Sequence, residues 1–236
     1  MKIDIITTCD HVTPELVKNK TVIVIDVLRA TSVIISALKN GAKSVVPVTS
    51  VEEALETKKK LENVILGGER KAQKIEGFDL SNSPEDYGST AVHDKNVIIT
   101  TTNGTKAISR SSAASKVYIG ALLNAKAVSV KAYEEKQDIV IVNSGTNGSF
   151  SMDDFIASGA VIEELLKLDT FELTDVSKTA LMIYRNHPDF KSYVREAKHY
   201  QVLMDLGLER DINFCLQKDL YDIVPEYKNG IIKLNF

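Results

Sequence analysis

Residues 22–34 read VIVIDVLRATSVI. The run Val22 to Ile25 is unbroken and β-branched, where a strand with one wet face would alternate apolar and polar residues. Such a run suits a strand buried on both faces, as in a parallel sheet with helices above and below it. It delivers Asp26 and Arg29, then Thr31 and Ser32, before a second apolar stretch with helical spacing runs to a stop at Asn40-Gly41. A carboxylate, a guanidinium and two hydroxyls thus fall between a strand end and a helix start. Open α/β sheets collect their ligands there.

The same plan recurs along the chain. IDIIT, KSVVPV, NVIL, NVIITTT, KVYIG and DIVIVNS are further β-branched runs, most of them followed by helical spacing. In SVEEALETKKKLEN, Ser50 and Glu53 stand in capping-box relation, and Leu55 and Leu61 mark an apolar face. Residues 104–111 and 123–134 read as helices. SMDDFIASGAVIEELLKL is the clearest, with Phe155, Ile162 and Leu166 along one side and Val161, Leu165 and Leu168 beside it. From about residue 170 the texture turns mostly helical, and YKNGIIKLNF reads as a final strand after an Asn-Gly turn. The expectation is an α/β protein with a mainly parallel sheet flanked by helices on both faces and a helical C-terminal part. It is read as one compact unit over 1–236, divisible at most into a sheet-bearing 1–168 and a mostly helical 169–236.

At 44% apolar and 26% charged residues the chain has ordinary soluble composition. A net charge of −3 offers no general attraction to nucleic acid or an acidic membrane surface, so anions must be held by local groups. The opening MKIDIITTCD has acids where a signal peptide needs a long apolar stretch, so none is expected, and no stretch approaches the roughly 20 apolar residues that span a bilayer. Two cysteines, Cys9 and Cys215, are too few for a disulfide framework, which points to the cytoplasm.

Four loops hold almost every polar residue of interest. In DVLRATS, Thr31 or Ser32 can cap the following helix, and Arg29 with the helix N-terminus suits a phosphoryl or carboxylate group. Asp26 is then a magnesium ligand or a nucleophile; the bland alternative is a structural Asp26–Arg29 pair. GGERKAQKIEGFDLSNSP (67–84) reads as a long functional loop, with Glu69 as a hard oxygen ligand and Arg70, Lys71 and Lys74 as positive charge. Lys71 and Lys74 read equally well as solvated surface. TTTNGTKA (100–107) offers Asn103, Gly104 and Thr105, either as an anion cradle or simply as good turn chemistry. NSGTNGSFSMDD (143–154) repeats the plan with Asn147 and Gly148 and adds Asp153 and Asp154. Ser151 to Asp154 fits a capping box, which would use one acid and leave the other as a second metal ligand.

No Walker lysine motif, Gly-x-Gly-x-x-Gly, Gly-x-Ser-x-Gly, Cys-x-x-Cys or His-Glu-x-x-His occurs, and the four histidines are scattered. His199 reads as a packed or surface helix residue. Oxygen donors with hydroxyls and arginine favour magnesium over zinc. Magnesium on Asp26, Glu69 and Asp153 or Asp154, with Arg29 and Arg70 on the anionic oxygens, would serve phosphate-ester hydrolysis.

VIVIDVLRATS, GGERKAQKIEGFDLSNSP, TTTNGT and NSGTNGSFSMDDFIASG, with the tail HYQVLMDLGLERDINFCLQKDLYDIVP, together resemble the ComB family of 2-phosphosulfolactate phosphatases. The motifs stand in family order over nearly the whole chain. The resemblance implies magnesium-dependent hydrolysis of (2R)-2-phospho-3-sulfolactate to (2R)-3-sulfolactate and phosphate, a step of coenzyme M biosynthesis in methanogens, with other phosphorylated 2-hydroxy acids as further substrates. It marks Asp26, Arg29, Thr31, Ser32, Glu69, Arg70, Asn103, Gly104, Thr105, Asn147, Gly148, Asp153 and Asp154 as motif positions. Asp211, Cys215 and Asp219 match the C-terminal signature, with Cys215 read as a buried apolar residue. The expected partner is a small anionic phosphorylated substrate, with no nucleic acid and no membrane; a homo-oligomer is compatible with the sequence. Two rivals stand. A haloacid-dehalogenase-type phosphatase would use Asp26 as nucleophile but wants a second Asp where Leu28 stands. A non-enzymatic domain would bind an anionic metabolite in the same loops.

Overall fold

The β-branched runs form strands where the sequence places them. In the computed structural model, which describes residues 1–235, β1 (Lys2–Ile6), β2 (Thr21–Ile25), β3 (Ser44–Val48) and β4 (Val64–Arg70) come first. The two-residue β5 (Gln73–Lys74) precedes β6 (Asn96–Thr100), β7 (Lys116–Gly120) and β8 (Ile139–Asn143). The short β9 (Glu172–Leu173), β10 (Glu226–Lys228) and β11 (Ile231–Lys233) follow. Among the helices, α1 (Pro14–Val17), α2 (Ala30–Lys39), α3 (Val51–Lys58), α4 (Ser89–Val92), α5 (Gly104–Arg110) and α6 (Ala125–Glu134) are interleaved with strands. α7 (Met152–Leu166) follows β8, and α8 (Asp175–Asn186), α9 (Phe190–Arg195), α10 (Lys198–Asp205) and α11 (Glu209–Cys215) supply the helical texture read from about residue 170. None of the described helices is long and apolar enough to cross a membrane.

The sheet is mostly parallel, in the order β5-β4-β6-β3-β11-β10-β7-β2-β8-β1-β9. Its two parallel blocks, β4-β6-β3 and β7-β2-β8-β1, are joined by the antiparallel β10–β11 hairpin over Asn229-Gly230. The residues YKNGIIKLNF thus form two strands in the middle of the sheet where one was expected; Phe236 lies outside the described residues. Each joint is one residue pair, Glu226 with Tyr118 and Ile232 with Val45.

Both faces of β2 are buried, which is why its run is unbroken. Val22 and Val24 pack with α2 and α5, and Ile23 and Ile25 pack with α6, α7 and α8. α2 is buried from Ala30 through Leu38 and ends as expected at Asn40, with Gly41 at φ 92°. The C-terminal helices join the second of these cores through Val194, Leu203, Ile212 and Cys215.

Three local expectations change. GGER is no loop: β4 runs to Arg70 and turns back through Lys71 and Ala72, both at positive φ, into β5. Gly68 permits this, because a Cβ there would lie 2.0 Å from the Thr100 carbonyl oxygen of β6. In α3, Ser50 does cap Glu53 N–H at 3.1 Å, but the Glu53 carboxylate reaches the N–H of Thr49. That helix buries Ala54 and leaves Leu55 and Leu61 largely exposed, since it ends at Lys58.

Candidate active site

Asp26 is the first residue beyond β2, and buried hydroxyls fold the turn that follows it. Thr31 Oγ1 accepts from Asp26 N–H at 3.0 Å and donates to the Asp26 carbonyl at 2.9 Å, while Ser32 Oγ donates to the Val27 carbonyl at 2.8 Å. The expected cap is not made: Arg29 is the N-cap of α2, with no side-chain cap bond. Thr31 and Ser32 are fully buried and shape the turn from behind. The Leu28–Arg29 peptide within it is cis. Arg29 is buried too; its guanidinium pairs with Asp211 and donates to the Ala72 carbonyl at 2.9 Å. Ser83 Oγ donates to the other Asp211 oxygen.

The four loops converge on one cavity of about 800 Å³, lined by Asp26, Glu69, Asn103 and Asn147 among others. Two of its four acids serve as stitching. Glu69 accepts from the N–H groups of Thr102 (2.7 Å) and Ala72 (2.8 Å), tying the second loop to the third. Asp154 accepts from Val27 N–H (2.9 Å), Gly145 N–H (3.1 Å) and the Ser144 hydroxyl (3.0 Å), tying the first loop to the fourth. The capping box expected at Ser151 does not form: Ser151 donates to Asp153, and Asp154 is drawn to neighbouring loops. Burial pushes the Asp154 carboxyl well up, and Asp153 and Asp26 push it further.

Asp26 and Asp153 are less committed. Asp26 Oδ1 accepts from Ala30 N–H at 3.2 Å. Burial pushes its carboxyl up to about 6, with Asp153 adding to the push and His199 and the Ala30 N–H opposing it. His199, from α10, places Nε2 2.9 Å from the Leu28 carbonyl; that oxygen only accepts, so Nε2 carries the proton. With Lys198 it reaches the cavity from the C-terminal helices, a contribution that no local pattern marked.

In the third loop, Thr105 exchanges three hydrogen bonds with Thr101 and is fully buried. Gly104 lets that loop close on the first: a Cβ there would meet Asp26 Oδ2 at 2.6 Å and Ala30 Cβ at 2.5 Å. Gly104→Ala should therefore cost about 1–3 kcal/mol in denaturant unfolding and lower activity by displacing Asp26. Unchanged stability and activity would show that the loops have slack. Asn103 Oδ1 accepts from Asn147 N–H at 3.2 Å, linking third and fourth loops at the cavity edge. Gly148, at φ 74°, sits in the exposed turn Thr146–Ser149 beside Asp10.

Arg70 lines the cavity and donates to neutral acceptors, the Glu69 carbonyl (2.7 Å) and Thr100 Oγ1 (3.0 Å). Lys71 and Lys198 stand exposed at the rim, and none of the three cations has an ion pair among the described residues. Lys74 is exposed in β5 and does not line the cavity. Cys215 is core, with burial pushing its thiol up to about 12. Asp219 accepts from Lys126 N–H at 2.7 Å, at the start of α6.

A family model described as 2-phosphosulpholactate phosphatase matches residues 6–230. The chain belongs to this family. Members similar to it include a probable 2-phosphosulfolactate phosphatase of Clostridium beijerinckii, 54% identical over 98% of this chain and 99% of the relative. Proteins of the same name from Clostridium tetani and Clostridium perfringens are each 52% identical, over 99% of this chain and 100% and 96% of their own lengths. The family match spans all four cavity loops together with His199 and Asp211.

Proposed function

We propose that this chain is a magnesium-dependent phosphatase that hydrolyses (2R)-2-phospho-3-sulfolactate to (2R)-3-sulfolactate and phosphate, acting in the cytoplasm and, where that pathway runs, in coenzyme M biosynthesis. The observation that carries the reading is the placing of three cations, Arg70, Lys71 and Lys198, without carboxylate partners among the described residues, around Asp26 and Asp153 in one cavity. A substrate with phosphate, carboxylate and sulfonate groups is the kind of anion this charge suits. Two buried, unpaired cysteines accord with a reducing compartment.

Among the described residues no group of three or more His, Cys, Asp or Glu is placed to hold a metal ion. Glu69 and Asp154 have both carboxylate oxygens engaged by donors. Asp26 and Asp153 remain, two buried acids with the Asp153 charge acting on Asp26, and magnesium commonly takes only one or two carboxylates beside waters and a substrate phosphate. That pair fits the ion, which when bound would supply positive charge to the phosphoryl oxygens. Arg70 would hold further anionic oxygens, and Glu69 and Asp154 would keep the loops in register. Water oxygen bonds to phosphorus, the bond from phosphorus to the 2-oxygen breaks with its electron pair passing to that oxygen, and the proton that the water loses completes the 2-hydroxyl.

Phosphate release from phosphosulfolactate and from phospholactate, with magnesium and with EDTA, tests this. Release should fall roughly a hundredfold in EDTA and return with magnesium, with the sulfonated substrate preferred. Binding without release under every condition would favour a metabolite-binding domain instead.

A further inference from the structure

The turn between β4 and β5 is built from residues that do not favour it. Glu69 pairs with Lys74 and Arg70 with Gln73, which leaves Lys71 and Ala72 as a two-residue hairpin loop. Both take positive φ, 53° and 62°. Hairpins of this length favour Asn-Gly or Asp-Gly, because a side chain beyond Cβ or a bare methyl is disfavoured in that conformation. The turn is held from outside instead. The Ala72 N–H donates to Glu69 (2.8 Å), its carbonyl accepts from Arg29 (2.9 Å), and its methyl packs against the core that contains Leu28. Two buried charged groups of the cavity wall thus fix a backbone that the local residues would not choose. Strained backbone kept by its surroundings is characteristic of functional sites. What this turn presents is Lys71, exposed at the cavity rim and without an ion pair among the described residues. Lys198, the other rim lysine, opens α10 behind an N-cap that makes no side-chain bond.

We infer that Lys71 is a specificity-determining residue whose ammonium receives the sulfonate of the substrate at the cavity rim. The inference deepens the phosphatase reading and rests on it. With the phosphoryl group at Asp26 and Asp153, both buried, the rest of the substrate extends toward the rim. The carboxylate is bonded to the phosphorylated carbon itself, whereas the sulfonate stands one methylene further out and reaches furthest. Arg70 is less exposed than Lys71 and lies against Thr100 and the Glu69 carbonyl, where its planar fork suits a phosphate or a carboxylate. A sulfonate spreads one charge over three weakly basic oxygens. A compact ammonium on a flexible stem meets any of them, and the fixed turn sets where that stem begins.

The test is steady-state kinetics on phosphosulfolactate and on phospholactate, which ends in a methyl group where the other carries its sulfonate, with thermal unfolding of each variant. Lys71→Asn removes the charge and suits the positive φ, so it should unfold at the wild-type temperature or above it. It should lower the preference in kcat/KM for phosphosulfolactate over phospholactate about tenfold, the scale of one charge-assisted hydrogen bond, with the loss falling on KM. Lys71→Arg keeps the charge and should hold the preference within about threefold of wild type. Lys198→Ala should lower it less than Lys71→Asn does. A preference within about twofold of wild type in Lys71→Asn, the scale of an ion pair that adds nothing specific, would overturn the inference even if both rates fell together. A larger fall in Lys198→Ala would overturn it as well. Should wild type release no phosphate from either substrate, the phosphatase reading fails on its own. Lys71 is then read from the rise in unfolding temperature that sulfolactate induces. Loss of that rise in Lys71→Asn supports the assignment, and an equal rise, or none in wild type, overturns it.

Discussion

Asp26→Asn should cut kcat/KM for phosphate release by roughly a thousandfold, the scale of losing a preorganised charge at the reacting group, while making the protein harder to unfold. Asparagine keeps an oxygen for the Ala30 N–H that now reaches Asp26 Oδ1, so the turn into α2 survives. It removes a buried negative charge that faces Asp153. The sign of the stability change follows from the carboxyl being pushed up to about 6 by burial and then by Asp153. The unfolded chain ionises Asp26 more readily than the folded one, so ionisation opposes folding above that value, and the penalty fades as pH falls toward the ordinary carboxylate range. With EDTA present, the variant should melt above wild type at about pH 7.5, and the gap should close by about pH 4. Activity and stability would then move in opposite directions at one residue, as a site strained for function requires. A variant that melts below wild type at neutral pH would mean that the carboxylate is structurally satisfied. A variant that keeps its turnover would remove Asp26 from the chemistry.

Much of this was legible locally and some could not be. Val22 to Ile25 announced a strand buried on both faces because burial leaves a direct mark on composition, and the position of Asp26 followed from it. Residue types also marked the four loops that meet at the cavity. They could not say which polar groups face inward. Thr31, Ser32 and Thr105 looked like ligand hydroxyls, yet their oxygens close backbone turns, because a hydroxyl serves a carbonyl as readily as an anion. Glu69 and Asp154 looked like equals of Asp26 and Asp153, but each has one oxygen engaged by an N–H group of its own loop and the other by an N–H group of another loop, which sequence does not position. GGER read as a loop because glycine is a poor strand former; the reason for Gly68 is the Thr100 carbonyl across the ladder. His199 opens the stretch HYQVLMDLG yet read as a packed or surface helix residue, because its contact with Leu28 is a property of the assembled wall.

Asp211→Ala should be the most destabilising change near the site, costing about 3–5 kcal/mol, because it strands a buried guanidinium. Arg29 and Asp211 are both buried, and they join the turn after β2 to α11 across 182 residues of sequence. Asp211 also accepts from Ser83, so its loss frees the segment that carries Asn82, which lines the cavity. The pair's net worth against an apolar substitute is a separate matter. Two charges taken from water repay little more than their desolvation, and replacing both by apolar side chains of similar size can restore stability. Arg29→Met combined with Asp211→Leu should therefore recover most of what Asp211→Ala loses in denaturant unfolding. It should not recover phosphate release, because Arg29 lines the cavity and hands a hydrogen bond to Ala72 in the turn after Glu69. A cost below about 1 kcal/mol for Asp211→Ala would show that Arg29 finds water when its partner goes, as an exposed pair does. Full activity in the double variant would make the pair scaffolding alone. The predicted split, stability regained and turnover not, is what would tie the C-terminal helices to the chemistry at Asp26 through one guanidinium.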